Sequence, residues 1–164
     1  MDHGGKCGCT NNSHDRRLVE FCCERFSQLG VIDRYSEGCD VYRIDQDTDI
    51  TSPKTQSMAH RALCTHNACA WISVPCTGES KWNQFNWEHR PETREGIQAH
   101  IDQFLWFFDI IVKILRGVRR NGYETLIMME LPTGCAYWNY DCVQRFFWRN
   151  LVCGRATFTG VHLG

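Results

Sequence analysis

Apolar side chains fall at Ile97, Ile101, Phe104, Phe108, Ile111, Leu115 and Val118, at spacings that alternate four and three. That rhythm draws one stripe down an α-helix and predicts a helix over 96–120. Phe107, Ile110 and Ile114 widen the stripe, so the helix must bury a broad face. Arg116, Arg119 and Arg120 stand in its last turns, where cations suit the helix dipole, and Asn121-Gly122 stops it. Short apolar runs at 18–23, 41–44, 68–74 and 126–131 read as strands, the third closed by Pro75. Helical stretches separate them: a turn over 24–29 ended by Gly30, and a helix over 55–64 opened by Ser52-Pro53. After the long helix come a helix over 141–148 and a strand over 156–161. Strands alternating with helices predict an α/β fold, doubly wound and Rossmann-like, whose mostly parallel sheet is covered on both faces.

Composition allows this. The 164 residues are 43% hydrophobic and 23% charged, enough for one core without staples. With 18 basic and 19 acidic side chains the net charge is −1, which sets no global field toward nucleic acid or lipid. No apolar run reaches the roughly 18 residues that span a bilayer, so no membrane partner is expected. There are 11 cysteines, an odd number, and 1–13 is polar and glycine-rich rather than signal-like. We therefore expect a reduced intracellular protein, cytoplasmic or nuclear, whose cysteines mostly pack as small apolar groups. Residues 1–15 read as a flexible leader and 16–164 as one domain. Cys7-x-Cys9, with His3 and His14, is too tightly spaced for a usual zinc pair, so no metal site is assigned.

In a parallel α/β sheet, ligands bind at the carboxyl ends of the strands. Two such ends carry chemistry. In Val74-Pro75-Cys76-Thr77-Gly78-Glu79-Ser80 a proline fixes the backbone before a cysteine, which can present the thiol as a nucleophile. In Met129-Glu130-Leu131-Pro132 a carboxylate ends an apolar strand, where burial would keep it protonated. Cys76 reads equally as a buried structural thiol. Asp45, Asp47 and Asp49 read first as a solvated acidic turn and second as partners for ribose hydroxyls or an adenine amino group. Trp82, Phe85 and Trp87, interleaved with Lys81, His89 and Arg90, read first as a cap on the sheet and second as a base-stacking surface. Gly134-Cys135-Ala136-Tyr137-Trp138 follows Glu130 as a wall for the same pocket.

Pro75-Cys76 with Ser80 four positions on, at a strand end, resembles the active-site motif of the DNA cytosine-5 methyltransferases. Thr48-Asp49-Ile50-Thr51 is similar to that family's short Asp-Ile motif, and Leu18-Val19-Glu20-Phe21 falls where its first strand belongs. Order and spacing agree over roughly 17–131. The resemblance implies a class I methyltransferase fold and S-adenosylmethionine as cofactor. It implies Cys76 as nucleophile, Ser80 as its support and Glu130 as the acid contacting the base, with nucleic acid as partner. Glu20, Phe21, Cys22, Asp45, Asp49 and Pro75 would line the cofactor. The family's first loop is glycine-rich, whereas here it reads Cys22-Cys23-Glu24-Arg25-Phe26. That difference keeps a second reading open, a Rossmann-like binding or assembly module without catalysis. A third is a metal-binding regulator using Cys7, Cys9, Cys22 and Cys23.

Overall fold

The structure is a computed structural model and describes residues 16–23, 25, 27, 29 and 39–151. The expected leader and the strand over 156–161 lie outside the described residues, as do positions 24, 26 and 28 of the turn expected over 24–29. Strands β1 (Arg16–Phe21), β2 (Cys39–Ile44), β3 (Ala68–Ile72) and β4 (Leu126–Met129) form one all-parallel sheet in the order β2-β1-β3-β4. The chain steps outward from β1 to β2, then crosses back over β1 to β3. Doubly wound sheets of order 2-1-3-4-5 reverse direction at this same place. The fold is therefore α/β with a parallel sheet.

Register decides which face is core. Val19 lies beside Tyr42 and Ala70, and Phe21 beside Ile44 and Ile72. Side chains alternate along a strand, so Val19, Phe21, Ile44, Ala70, Ile72 and Ile127 share one face, and all are buried. Helix α1 (Pro53–Leu63) packs on β1, β2 and β3 and against α3 (Arg94–Arg120). Ser52 starts α1, its Oγ accepting from the Thr55 N–H at 3.2 Å, with Pro53 at the first helical position. The stripe of α3 is as spaced: Ile97, Phe104, Phe108, Ile111, Leu115 and Val118 are buried, and Ile101 is half-buried. Gly122, at φ 84°, takes the left-handed turn that ends it.

Coverage of both faces is not seen among the described residues. Leu18, Val41, Cys69, Trp71 and Met128 on the second face remain half-buried. Helix α2 (Lys81–His89) carries no apolar stripe, and sequence periodicity had no means to find it; Ser80 caps its start. Its Trp82 and Phe85 are 67% and 50% exposed, so they do not cap the sheet. Helix α4 (Asp141–Leu151) packs Phe146 edge-on against Phe108 of α3 at 5.4 Å. No helix among the described residues is long and apolar enough to cross a membrane.

Candidate functional site

The carboxyl edge of the sheet divides into two halves. Over the ends of β1, β2 and β3 lies a cleft of about 890 Å³. Cys22, Asp45, Asp49 and Pro75 line it, joined by Gln103 and Phe107 from α3. It opens where the strand order reverses, the position at which doubly wound sheets bind ligands.

Each wall has a local cause. Cys22 leaves β1 at φ 59°, the left-handed conformation that glycine adopts most easily. Its N–H still reaches the Ile44 carbonyl at 2.8 Å, so the chain bends sharply without losing its bond to β2. Burial, with Cys23 adding to it, pushes the Cys22 thiol up to about 12, so it is neutral at physiological pH. Asp45 folds the next turn: its Oδ1 accepts from the Asp47 N–H at 3.1 Å and the Thr48 hydroxyl at 2.9 Å. Asp49 does the same with Thr51, at 2.8 Å from the N–H and 2.6 Å from the hydroxyl. Those bonds hold the Asp49 carboxyl below its ordinary value, the Thr51 hydroxyl contributing most. In both turns these hydrogen bonds among the described residues fall on Oδ1, which turns Oδ2 toward the ligand in the reading below. Asp47 differs, since Arg25 lies 3.4 Å from its Oδ2.

Glu20 and Phe21 do not line the cleft. Phe21 is core. Glu20 is fully buried on the opposite face, with its Oε2 at 2.9 Å from Arg43 Nε. Ser27 Oγ donates to Glu20 Oε1 at 2.5 Å, and Arg43 Nη2 donates to the Leu29 carbonyl at 2.8 Å. The pair therefore ties β1 and β2 to the connection between them.

The other half of the edge is closed. Cys76 follows Pro75, half-buried at φ −96°, ψ 9°, just before a 3-10 turn over Thr77–Glu79. The Ser80 hydroxyl caps α2, accepting from the Asn83 N–H at 3.2 Å. Glu130 is exposed rather than enclosed, because β4 ends at Met129 and the chain turns away. Its Oε1 accepts from the Ser73 hydroxyl at 2.6 Å, and its N–H donates to the Ile72 carbonyl at 3.0 Å. Tyr137 does not wall a pocket: it is fully buried, stacked on Phe104 at 3.6 Å and 11°. Its hydroxyl donates to the His100 carbonyl at 3.4 Å, and Tyr140 donates to Glu79 Oε1 at 2.6 Å. Burial pushes both phenols upward and pushes the Cys135 thiol up to about 11.

The cleft thus unites Cys22, Asp45, Asp49 and Pro75, with Cys76 next to its rim, while Ser80 and Glu130 lie apart from it. Gln103 and Phe107 were missed as site residues. The only signal was their place on the flank of the α3 stripe, where Phe107 read as widening the core. No cluster of three metal-ligating side chains occurs among the described residues. Cys7 and Cys9 lie outside them. No family model, curated protein or solved structure matches this chain.

Proposed function

We propose that the chain is a class I methyltransferase-like module that holds S-adenosylmethionine over Cys22, Asp45 and Asp49. The observation that carries this reading is the cleft's position at the reversal of strand order, with acceptor oxygens on one wall and an aromatic side chain on another. Its volume, about 890 Å³, falls within the ~300–1,000 Å³ range of small-molecule sites. The Oδ2 atoms of Asp45 and Asp49 suit ribose hydroxyls or an amino group, and half-buried Phe107 offers a ring to a base. Cys22 takes a left-handed bend at the start of the loop that is glycine-rich in the resembled family. The cofactor, when bound, supplies an activated methyl group.

Cys76, one residue beyond Pro75, is the nucleophile in this reading, acting on a cytosine brought out of the base stack. Glu130 stands on the adjoining strand end to contact that base. A second reading, a binding module without catalysis, draws on the occupied hydroxyl of Ser80 and the carboxylate of Glu130 bound to Ser73.

Calorimetry with S-adenosylmethionine tests the proposal. One-to-one binding, weakened about tenfold in Asp49→Ala, supports it. No binding by millimolar cofactor overturns it. Methyl transfer to a cytosine-containing oligonucleotide, lost in Cys76→Ala with cofactor affinity intact, separates the enzyme from the binding module.

A further inference from the structure

A second cavity lies away from the cleft, between α3 and α4. It measures about 310 Å³. Its floor is apolar: Phe108, Val112 and Phe146 are all buried. Its rim is cationic, with Arg116 from α3 and Arg145 and Arg149 from α4. Asp109 lines it too, but Lys113 already holds that carboxylate at 2.6 Å. Arg145 reaches the exposed Asp141 carboxylate at 3.9 Å, and its Nε donates to the Asp141 carbonyl at 3.1 Å, which leaves Arg116 and Arg149 as the arginines to consider. Arg116 and Arg149 have no carboxylate partner among the described residues. Helix dipoles explain cations in the last turns, yet Arg145 sits in the first half of α4. In a chain of net charge −1, Arg116 and Arg149 stand over one apolar floor, and a guanidinium suits a carboxylate or phosphate.

We propose that this groove binds a small amphipathic anion, a carboxylate or phosphate carried on one aromatic ring or a short alkyl chain. The apolar part lies on Phe108, Val112 and Phe146, and the charged head is shared by Arg116 and Arg149. The volume sits at the lower end of the ~300–1,000 Å³ range of ligand sites, which fits one ring or a short chain.

Calorimetric titration of the full chain tests it, with phenyl phosphate and octanoate as probes. Inorganic phosphate carries the charge alone, and benzyl alcohol the ring alone. The expected result is saturable one-to-one binding of at least one amphipathic probe, with both controls about tenfold weaker or worse. Which probe binds tells an aryl phosphate from an alkyl carboxylate. The double variant Arg116→Gln, Arg149→Gln loses about tenfold in affinity with an unchanged thermal unfolding midpoint, whereas Arg120→Gln does not. Three results each overturn the proposal: neither probe saturating at millimolar concentration, inorganic phosphate binding as well as the better probe, or the double variant binding like the wild type. S-adenosylmethionine affinity is measured alongside, so failure here is told apart from failure of the cleft.

Discussion

The two halves of the carboxyl edge use similar residue types to opposite ends. Over β1 and β2 the polar side chains build their own turns through Oδ1, above an open cleft. Beyond β3 the polar groups are consumed. Ser80 caps a helix, Glu79 receives Tyr140, and Tyr137 is stacked in the core beneath Gly78. A Cβ at Gly78 would run into the Tyr137 Oη and come within 2.9 Å of the Ile101 backbone nitrogen, so even a methyl group does not fit there. The first half is therefore open, and the second is a closed floor with Cys76 at its edge, one residue beyond the cleft-lining Pro75.

The contrast predicts where stability resides. Tyr137→Ala removes a fully buried ring stacked on Phe104 and should cost about 4 kcal/mol in a urea unfolding titration. Gln103→Ala, at an exposed position in the cleft, should stay within about 0.5 kcal/mol yet, on the proposed function, weaken S-adenosylmethionine binding. Equal destabilisation by the two substitutions would erase the distinction between floor and cleft. Next in size is Arg43→Met, which leaves the buried Glu20 carboxylate without its cation and should cost about 3 kcal/mol. Since Arg43 also holds the Leu29 carbonyl, the cleft side should open to amide exchange before the Tyr137 side does.

These differences also explain what could be read from residues alone. The α3 stripe was legible because a buried helix face imposes a period of 3.6 on apolar side chains. The parallel strands were legible because their apolar runs are short and bounded by polar stretches. The acidic turns were legible because Asp45 and Asp49 follow a strand directly. By contrast, Glu130 and Glu20 share the pattern of a carboxylate in an apolar run, and only tertiary pairing distinguishes them. Arg43 lies opposite Glu20 in register and admits it to the interior, whereas the end of β4 releases Glu130 to solvent. Helix α2 was invisible because it is set by a cap rather than a stripe. The cleft's α3 wall was hidden because a flank residue looks like core until the neighbouring loop is placed.

A smaller effect probes the bend itself. Glycine normally loses about 1 kcal/mol to alanine inside regular structure. At φ 59° that order should invert, so Cys22→Gly should be more stable than Cys22→Ala by about 1 kcal/mol. Both variants lose the same thiol, so their difference reads the backbone alone. Alanine as the more stable variant would remove the left-handed bend from the account of the cleft.

The smallest effect concerns the acidic wall before any ligand arrives. Thr51 holds the Asp49 carboxyl below its ordinary value by hydrogen bonds to the charged form. A lowered native value means that the stabilisation is present above the unfolded value of about 3.9 and is lost as pH falls through the native one. In Thr51→Val the hydroxyl bond disappears, and the Asp49 titration, followed by carboxyl carbon NMR, should move up toward the ordinary value. The acid limb of the stability curve should shallow slightly, with neutral pH little affected because the group is exposed. An unchanged titration would mean that the backbone N–H alone sets the turn. Asp49 would then owe its poise to chain geometry, as Cys22 does, and the open half of the edge would be shaped wholly by backbone rather than by side-chain bonds.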